Sequence, residues 1–170
     1  MIHLYIGNGQ GKTSAATGLA VRHAGSGGRV AFVQFLKSTP SGEIAVLESI
    51  PCVSVLRNRE AHGFTIDMSE EQKRRVRASH NENLAKAHAM IRHGAITLLV
   101  LDELCPAYAL DLIDRAAVDA LIQSADEVEL VITGRDPAQR LLDAADYITD
   151  MTCVRHPYDR GVPARRGVEF

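Results

Sequence analysis

The sequence predicts an α/β fold three layers deep, with a mostly parallel central sheet covered by helices on both faces. Three observations carry that expectation. Short apolar, strand-like runs alternate with helix-like stretches through the 170 residues, the pattern of βαβ units. A glycine-rich turn separates the first such strand from the first helix. Three polar clusters, GNGQGKT (7–13), DE (102–103) and TGR (133–135), each follow an apolar run. Ligands of such folds bind beyond the carboxyl ends of the strands, so these clusters are expected to converge.

The elements follow in order. IHLYI (2–6) reads as a strand, and TSAATGLAVRHAG (13–25) as a helix stopped by Gly25 and the GSGG turn. RVAFVQF (29–35) is β-branched and aromatic, hence a second strand. A polar loop with Pro40 and Gly42 leads to a short helix, EIAVLESI (43–50), and a strand, VSVL (53–56). Residues 57–69 show no period and read as a loop. A long helix runs from Ser69 to Gly94, with Ser69 as N-cap, Gln72 at the capping-box position, and an apolar face of Leu84, Ala87, His88 and Ile91. TLLVLDE (97–103) is a buried-type strand ending in acids. DRAAVDALIQSA (114–125) reads as a helix, VELVIT (128–133) as a strand, and PAQRLLDAA (137–145) as a helix with Pro137 near its first turn. The tail from Tyr147 to Phe170 reads as turn-rich.

Length fits one domain spanning residues 1–170. With 46% hydrophobic residues, 24% charged residues and a net charge of −2, the chain lacks the basic balance that a phosphate-backbone partner requires, so no nucleic acid is expected. AITLLVL (95–101), the longest strongly apolar run, is too short to span a bilayer. The chain opens directly on a strand, so no leader is expected. Cys52, Cys105 and Cys153 lie far apart with no C-x-x-C and read as reduced thiols of a cytoplasmic protein. KRRVR (73–77) reads as a solvated helix face. Of the seven histidines, those on the long helix are never four apart, and His156 reads as structural or close to the site.

GNGQGKT is one residue short of the usual phosphate loop, which has four residues between its glycines. Its chemistry is nonetheless that of a nucleotide cradle. Glycines let backbone N–H groups turn onto a phosphate at a helix N-terminus. Lys12 supplies a point charge, and the Thr13 hydroxyl can ligate Mg2+. The bland alternative is a glycine-rich connecting turn. Asp102 and Glu103, where an apolar strand runs out, are candidate Mg2+ ligands, and Arg135 is a candidate phosphate or carboxylate clamp. These features predict a P-loop (RecA-like) fold. Alone they leave open a generic phosphotransferase or ATPase.

The residues also carry a resemblance. GNGQGKT, the strand VQF-x-K, then GE, HGFT, VLDEL, VITGR, AAD and the closing RHPYDRGVPARRGVEF resemble, in order and over nearly the whole chain, the P-loop class of ATP:corrinoid adenosyltransferases, or cob(I)alamin adenosyltransferases. The resemblance implies attack by the Co(I) of a corrinoid on the 5′ carbon of ATP, giving an adenosylcorrinoid and triphosphate. The substrate would be cobalamin or a corrinoid precursor, as for a cob(I)yrinic acid a,c-diamide adenosyltransferase. It implies that the family's shortened loop holds ATP reversed, so that triphosphate departs. Gly7, Asn8, Gly9, Gln10, Gly11, Lys12, Thr13 and Ser14 would hold the triphosphate, with Gln34, Lys37 and Arg135 on the same site. Thr13 and Glu103, with Asp102, would hold Mg2+. Glu43 would line the corrinoid side. Phe64 would help push away the corrinoid's lower axial base. The family's tryptophan position in HGFTID is Ile66 here, and its common loop lysine is Gln10. A homodimer, a reduced flavoprotein electron donor and a cytoplasmic setting are further implications. A non-catalytic protein binding corrinoid and ATP is the other alternative.

Overall fold

A computed structural model describes residues 1–37, 41–58 and 68–168. Six parallel strands form one sheet in the order β3-β2-β4-β5-β1-β6. They are β1 (Ile2–Ile6), β2 (Val30–Gln34), β3 (Val53–Arg57), β4 (Leu98–Asp102), β5 (Glu129–Thr133) and β6 (Tyr147–Asp150). The helices are α1 (Lys12–Gly25), α2 (Gly42–Glu48), α3 (Glu70–Arg92), α4 (Leu104–Ala109), α5 (Arg115–Gln123) and α6 (Gln139–Ala144), with 3-10 turns at Ala125–Glu127 and Pro157–Arg160.

The layering follows from the order of connections. From β1 the chain moves toward one edge, through α1 to β2 and α2 to β3. It then returns across the sheet through α3, α4 and α5, and α6. Right-handed crossovers place the outward helices on one face and the returning ones on the other. The cores match. Val30, Phe32, Leu98, Val100 and Val131 pack with Ala16, Ala20, Ile44 and Leu47 of α1 and α2. Their strand neighbours Ala31, Val33, Leu99, Leu101, Leu130 and Ile132 pack with Leu84, Ile91, Val118, Leu121 and Leu141 of the other helices. Strands buried on both faces must be apolar at successive positions, hence the unbroken runs in β2 and β4.

Local signals also hold. Ser69 Oγ accepts from Gln72 N at 3.3 Å, while Ser69 N donates to Gln72 Oε1 at 2.8 Å, a complete capping box. Leu84, Ala87 and Ile91 are buried, with His88 half-buried beside them. The KRRVR face is solvated, pairing Lys73 with Glu70, Arg75 with Glu71 and Arg77 with Asp111.

Two elements depart from the sequence reading. YITD, read as the start of a turn-rich tail, is strand β6, paired parallel to β1 with His3 opposite Tyr147 and Ile6 opposite Asp150. All four of its residues are exposed, so the edge strand lacks the buried stripe that marks strands in sequence. Residues 104–109, given no element, form α4 with Pro106 in its first turn, where proline's missing N–H costs nothing. The segment HGFTID, with Phe64 and Ile66, lies outside the described residues.

Candidate functional site

The parallel order brings the ends of β1, β2, β4 and β5 to one edge. After β1 the chain enters the short loop with Gly7 at φ 104 and Gly11 at φ 108, a region that favours glycine. Gly9 N donates to Met151 O at 2.6 Å, and Cys153 N donates to Asn8 Oδ1 at 2.9 Å. A Cβ on Gly9 would stand 2.5 Å from that Met151 oxygen. The segment leaving β6 therefore presses the loop flat from behind, and the compact GNGQG fits that close approach.

Gly11 caps α1 with no side chain, and the first turn carries no acidic residue. The leading N–H groups of α1 thus face the site at the positive end of the helix. Lys12 folds back over the loop and donates to Gly7 O at 2.7 Å and Gly9 O at 2.6 Å. Burial pushes its ammonium below the usual lysine range; Arg135 and Lys37 push the same way, and Glu103 and Asp102 partly oppose them.

Asp102, at the end of β4, is fully buried and forms the hub. Its Oδ1 accepts from Thr13 Oγ1 at 2.8 Å and from Thr133 Oγ1 at 2.7 Å. Its Oδ2 accepts from Gln34 Nε2 and from Lys37 Nζ, each at 3.1 Å. Lys37 Nζ also donates to Thr13 Oγ1 at 2.8 Å and lies 3.5 Å from Glu103 Oε1. Burial would lower the Lys37 pKa, but the Asp102 and Glu103 charges, the hydrogen bond to Asp102 and Glu43 outweigh it and hold the pKa above the usual range. Glu103 has φ 60 and donates its N–H to Thr133 Oγ1 at 3.0 Å, which turns its carboxylate toward the cleft. Cys105, buried two residues on, is pushed up to about 12 by burial and the Glu103 charge, so its thiol is an inert packing group.

A cleft of about 920 Å³ opens over these groups. Of the residues anticipated from sequence, Gly9, Gln10, Gly11, Lys12, Thr13, Ser14, Lys37, Glu43, Glu103 and Arg135 line it. Gly7 and Asn8 support the loop without lining the cleft. Gln34 and Asp102, 1% and 0% exposed, sit beneath it: Gln34 was expected to face the site and instead contacts Asp102. Glu43 opens α2, and its carboxylate accepts from the Ser41 hydroxyl.

Sequence reasoning missed Thr17, Ser41, Gly167 and Val168, which also line the cleft, and Met151, whose carbonyl braces the loop. Thr17, one helical turn beyond Thr13, could have been found by periodicity. Gly167 and Val168 approach from the far end of the chain, within the closing motif that carried the resemblance but was given no place at the site.

The oxygen donors of Thr13, Asp102 and Glu103 suit a hard divalent cation, which is commonly held by one or two carboxylates with waters and substrate phosphates. A lysine ammonium lies among them as a stand-in. Among the described residues no group of three His, Cys, Asp or Glu could hold a metal ion by itself. The buried Thr17 Oγ1 and Gln34 Oε1 have no hydrogen-bond partner among the described residues. Both border this cluster.

Residues 1–170 match the model of the family described as ATP:corrinoid adenosyltransferase BtuR/CobO/CobP. The chain is 34% identical over 172 residues to the corrinoid adenosyltransferase of Escherichia coli (strain K12), covering 100% of this chain and 85% of the relative. It is 34% identical over 176 residues to that of Pseudomonas aeruginosa, covering 98% and 82%. Against the corrinoid adenosyltransferase CobA of Salmonella typhimurium it is 34% identical over 179 residues, covering 100% and 85%. With the parallel α/β sheet and the lysine-bearing loop at its carboxyl edge, the chain belongs to the ATP:corrinoid adenosyltransferase family.

Proposed function

We propose that the cleft transfers the 5′-deoxyadenosyl group of ATP to the Co(I) of a corrinoid, within one domain spanning residues 1–170. The observation that carries this reading is the family match along the whole chain, joined to a cleft whose cationic groups and helix N-terminus gather at one loop. Co(I) brings the electron pair that forms the cobalt–carbon bond. The bond from C5′ to its oxygen breaks, and that electron pair leaves with triphosphate. No side chain has to act as nucleophile.

The protein's part is to hold the leaving group and meet the charge that develops on it. The loop from Gly7 to Gly11 and the first N–H groups of α1, through Ser14, cradle the phosphates. Lys12 gives up its two carbonyl partners for phosphate oxygens, and Arg135 and Lys37 add charge from the other side. Thr13 and Glu103, backed by the buried Asp102, would hold Mg2+, which when bound neutralises triphosphate charge. Gln34, through its contact to Asp102, fixes that carboxylate. Gln10 and Glu43 line the cleft, Glu43 toward the corrinoid. Phe64 and Ile66 are assigned to the displacement of the corrinoid's lower axial base. A reduced flavoprotein donor, a homodimer and a cytoplasmic setting belong to the same reading. Among the described residues no helix is long and apolar enough to cross a membrane.

The test is direct. ATP, Mg2+ and chemically reduced corrinoid should give a light-sensitive adenosyl product together with triphosphate. Release of phosphate or ADP with no cobalt–carbon product would overturn the assignment in favour of a phosphotransferase. Tight binding of both substrates without turnover, even from Co(I), would point to a carrier.

A further inference from the structure

We infer that Lys37 is the resident counter-cation of the nucleotide-free site, that His80 positions it, and that the pair makes divalent-cation binding depend on nucleotide. The inference rests on the proposed cation site of Thr13, Asp102 and Glu103, and goes beyond it by saying what controls entry.

The charge balance comes first. Asp102 is completely buried, and a buried carboxylate without a counter-charge is costly. Lys37 Nζ meets that need, standing within 3.1 Å of Asp102 Oδ2 and 3.5 Å of Glu103 Oε1, with Thr13 Oγ1 at 2.8 Å. These are the three oxygen donors a hard cation would use. Because the ammonium is tethered, it competes intramolecularly at a high effective concentration. A free cation would have to expel it and leave it without an anion. A cation arriving with triphosphate solves both problems, since the phosphates offer Lys37 a new partner.

The backbone then shows why Lys37 points there. Lys37 N donates to Phe35 O at 2.6 Å, closing a three-residue turn about Leu36. Leu36 has φ 59, an uncommon conformation for a bulky residue, so it must be held by its surroundings. The holder is on α3. His80 is 1% exposed, and Leu36 N donates to its Nε2 at 3.3 Å. With Nε2 accepting, Nδ1 carries the proton and donates to Leu112 O at 2.9 Å. The Phe35 ring meets the imidazole edge-on at 5.1 Å. The Leu36 side chain packs on the small cluster of Met68, Val76 and Leu112. His80 thus acts on the site through the backbone one residue before Lys37. It is a positioning residue.

The experiment measures Mn2+ retained by the protein, by EPR, with and without ATP and with no corrinoid present. Wild type should bind Mn2+ weakly alone and at least tenfold more tightly with ATP. Lys37→Met should bind Mn2+ at least tenfold more tightly than wild type in the absence of ATP, with a matching rise in melting temperature on adding Mn2+. Lys37→Gln keeps a polar group and should move the same way if the methionine variant does not fold. His80→Ala should also raise nucleotide-free Mn2+ affinity, whereas His80→Gln, which keeps an acceptor for Leu36 N–H, should behave as wild type. Unchanged Mn2+ affinity in both Lys37 variants, or tight Mn2+ binding by wild type alone, overturns the role of Lys37. A His80→Ala protein that melts lower but binds Mn2+ as wild type does reduces His80 to a structural residue. Failure of wild type to bind Mn2+ even with ATP defeats the cation-site reading itself, a different result from either.

Discussion

The two ends of the sheet are built from the same strands and differ in almost every physical respect. At the amino end, polar contacts are peripheral. His3 meets Glu129 at 2.9 Å with both side chains partly in solvent, and Arg29 ties down Gly94 O and Ala95 O on the surface. At the carboxyl end, Lys12, Gln34, Asp102 and Thr133 are all buried. Among the described non-glycine residues at positive φ, Leu36, Glu103 and Asp136 each lie just beyond β2, β4 and β5, and only Asp111 lies elsewhere. Strain and buried charge are both unfavourable, and they have been gathered at one edge. A scaffold that is ordinary at one end can support them at the other.

The sharpest way to break that comparison is at its hub. Asp102→Ala removes the acceptor shared by Thr13, Gln34, Lys37 and Thr133 and deprives the Lys37 ammonium of its nearest carboxylate. The expected loss is about 3 kcal/mol in a denaturant melt, with adenosyl transfer abolished. A variant as stable as wild type would mean that the buried polar cluster is not a coupled unit.

How much of this edge was legible in the sequence depends on the residue. The GNGQGKT, DE and TGR clusters were legible because each follows an apolar run, and parallel topology brings such strand ends together. The Lys37–Asp102 contact was half legible. Both residues could be assigned to the site, but nothing local says that a lysine 65 positions away would rest on the acid. The turn at Leu36 was invisible, since leucine is not a turn residue and its backbone N–H is held by His80, 44 positions away on α3. Gly167 and Val168 were missed because they reach the cleft through the tail, Met151 because its backbone carbonyl braces the loop whatever its side chain, and β6 because an exposed four-residue edge strand has no buried face to leave a pattern.

Lys12 offers an intermediate effect with two signs. Each charge-assisted phosphate contact is worth roughly 1.5–3 kcal/mol, so Lys12→Met should weaken ATP binding about 10- to 150-fold by titration calorimetry. Stability should not fall in step. Because burial and neighbouring cations lower the folded-state pKa of Lys12, its charge opposes folding below that pKa, and the penalty lifts as pH rises through it toward the unfolded value of 10.5. Attraction for triphosphate runs the other way and is lost over the same window. ATP affinity of the wild type should therefore decline on the alkaline side before an ordinary lysine would titrate, while the Lys12→Met protein shows no such decline.

The smallest expected effect lies at the amino end and sets the baseline for the others. Glu129→Gln removes the charge facing His3 Nε2 but leaves an amide oxygen to accept from the ring. With the Glu129 side chain 40% exposed, a surface contact of this kind contributes well under about 1 kcal/mol. The stacked ring of Tyr147, 4.8 Å from that of His3, continues to hold the imidazole in place. The melting temperature should shift by only a degree or two, and ATP affinity should not change. A loss of ATP binding on this substitution would mean that the two ends communicate through β5 and β1, and that the carboxyl edge draws on more of the sheet than the residues lining its cleft.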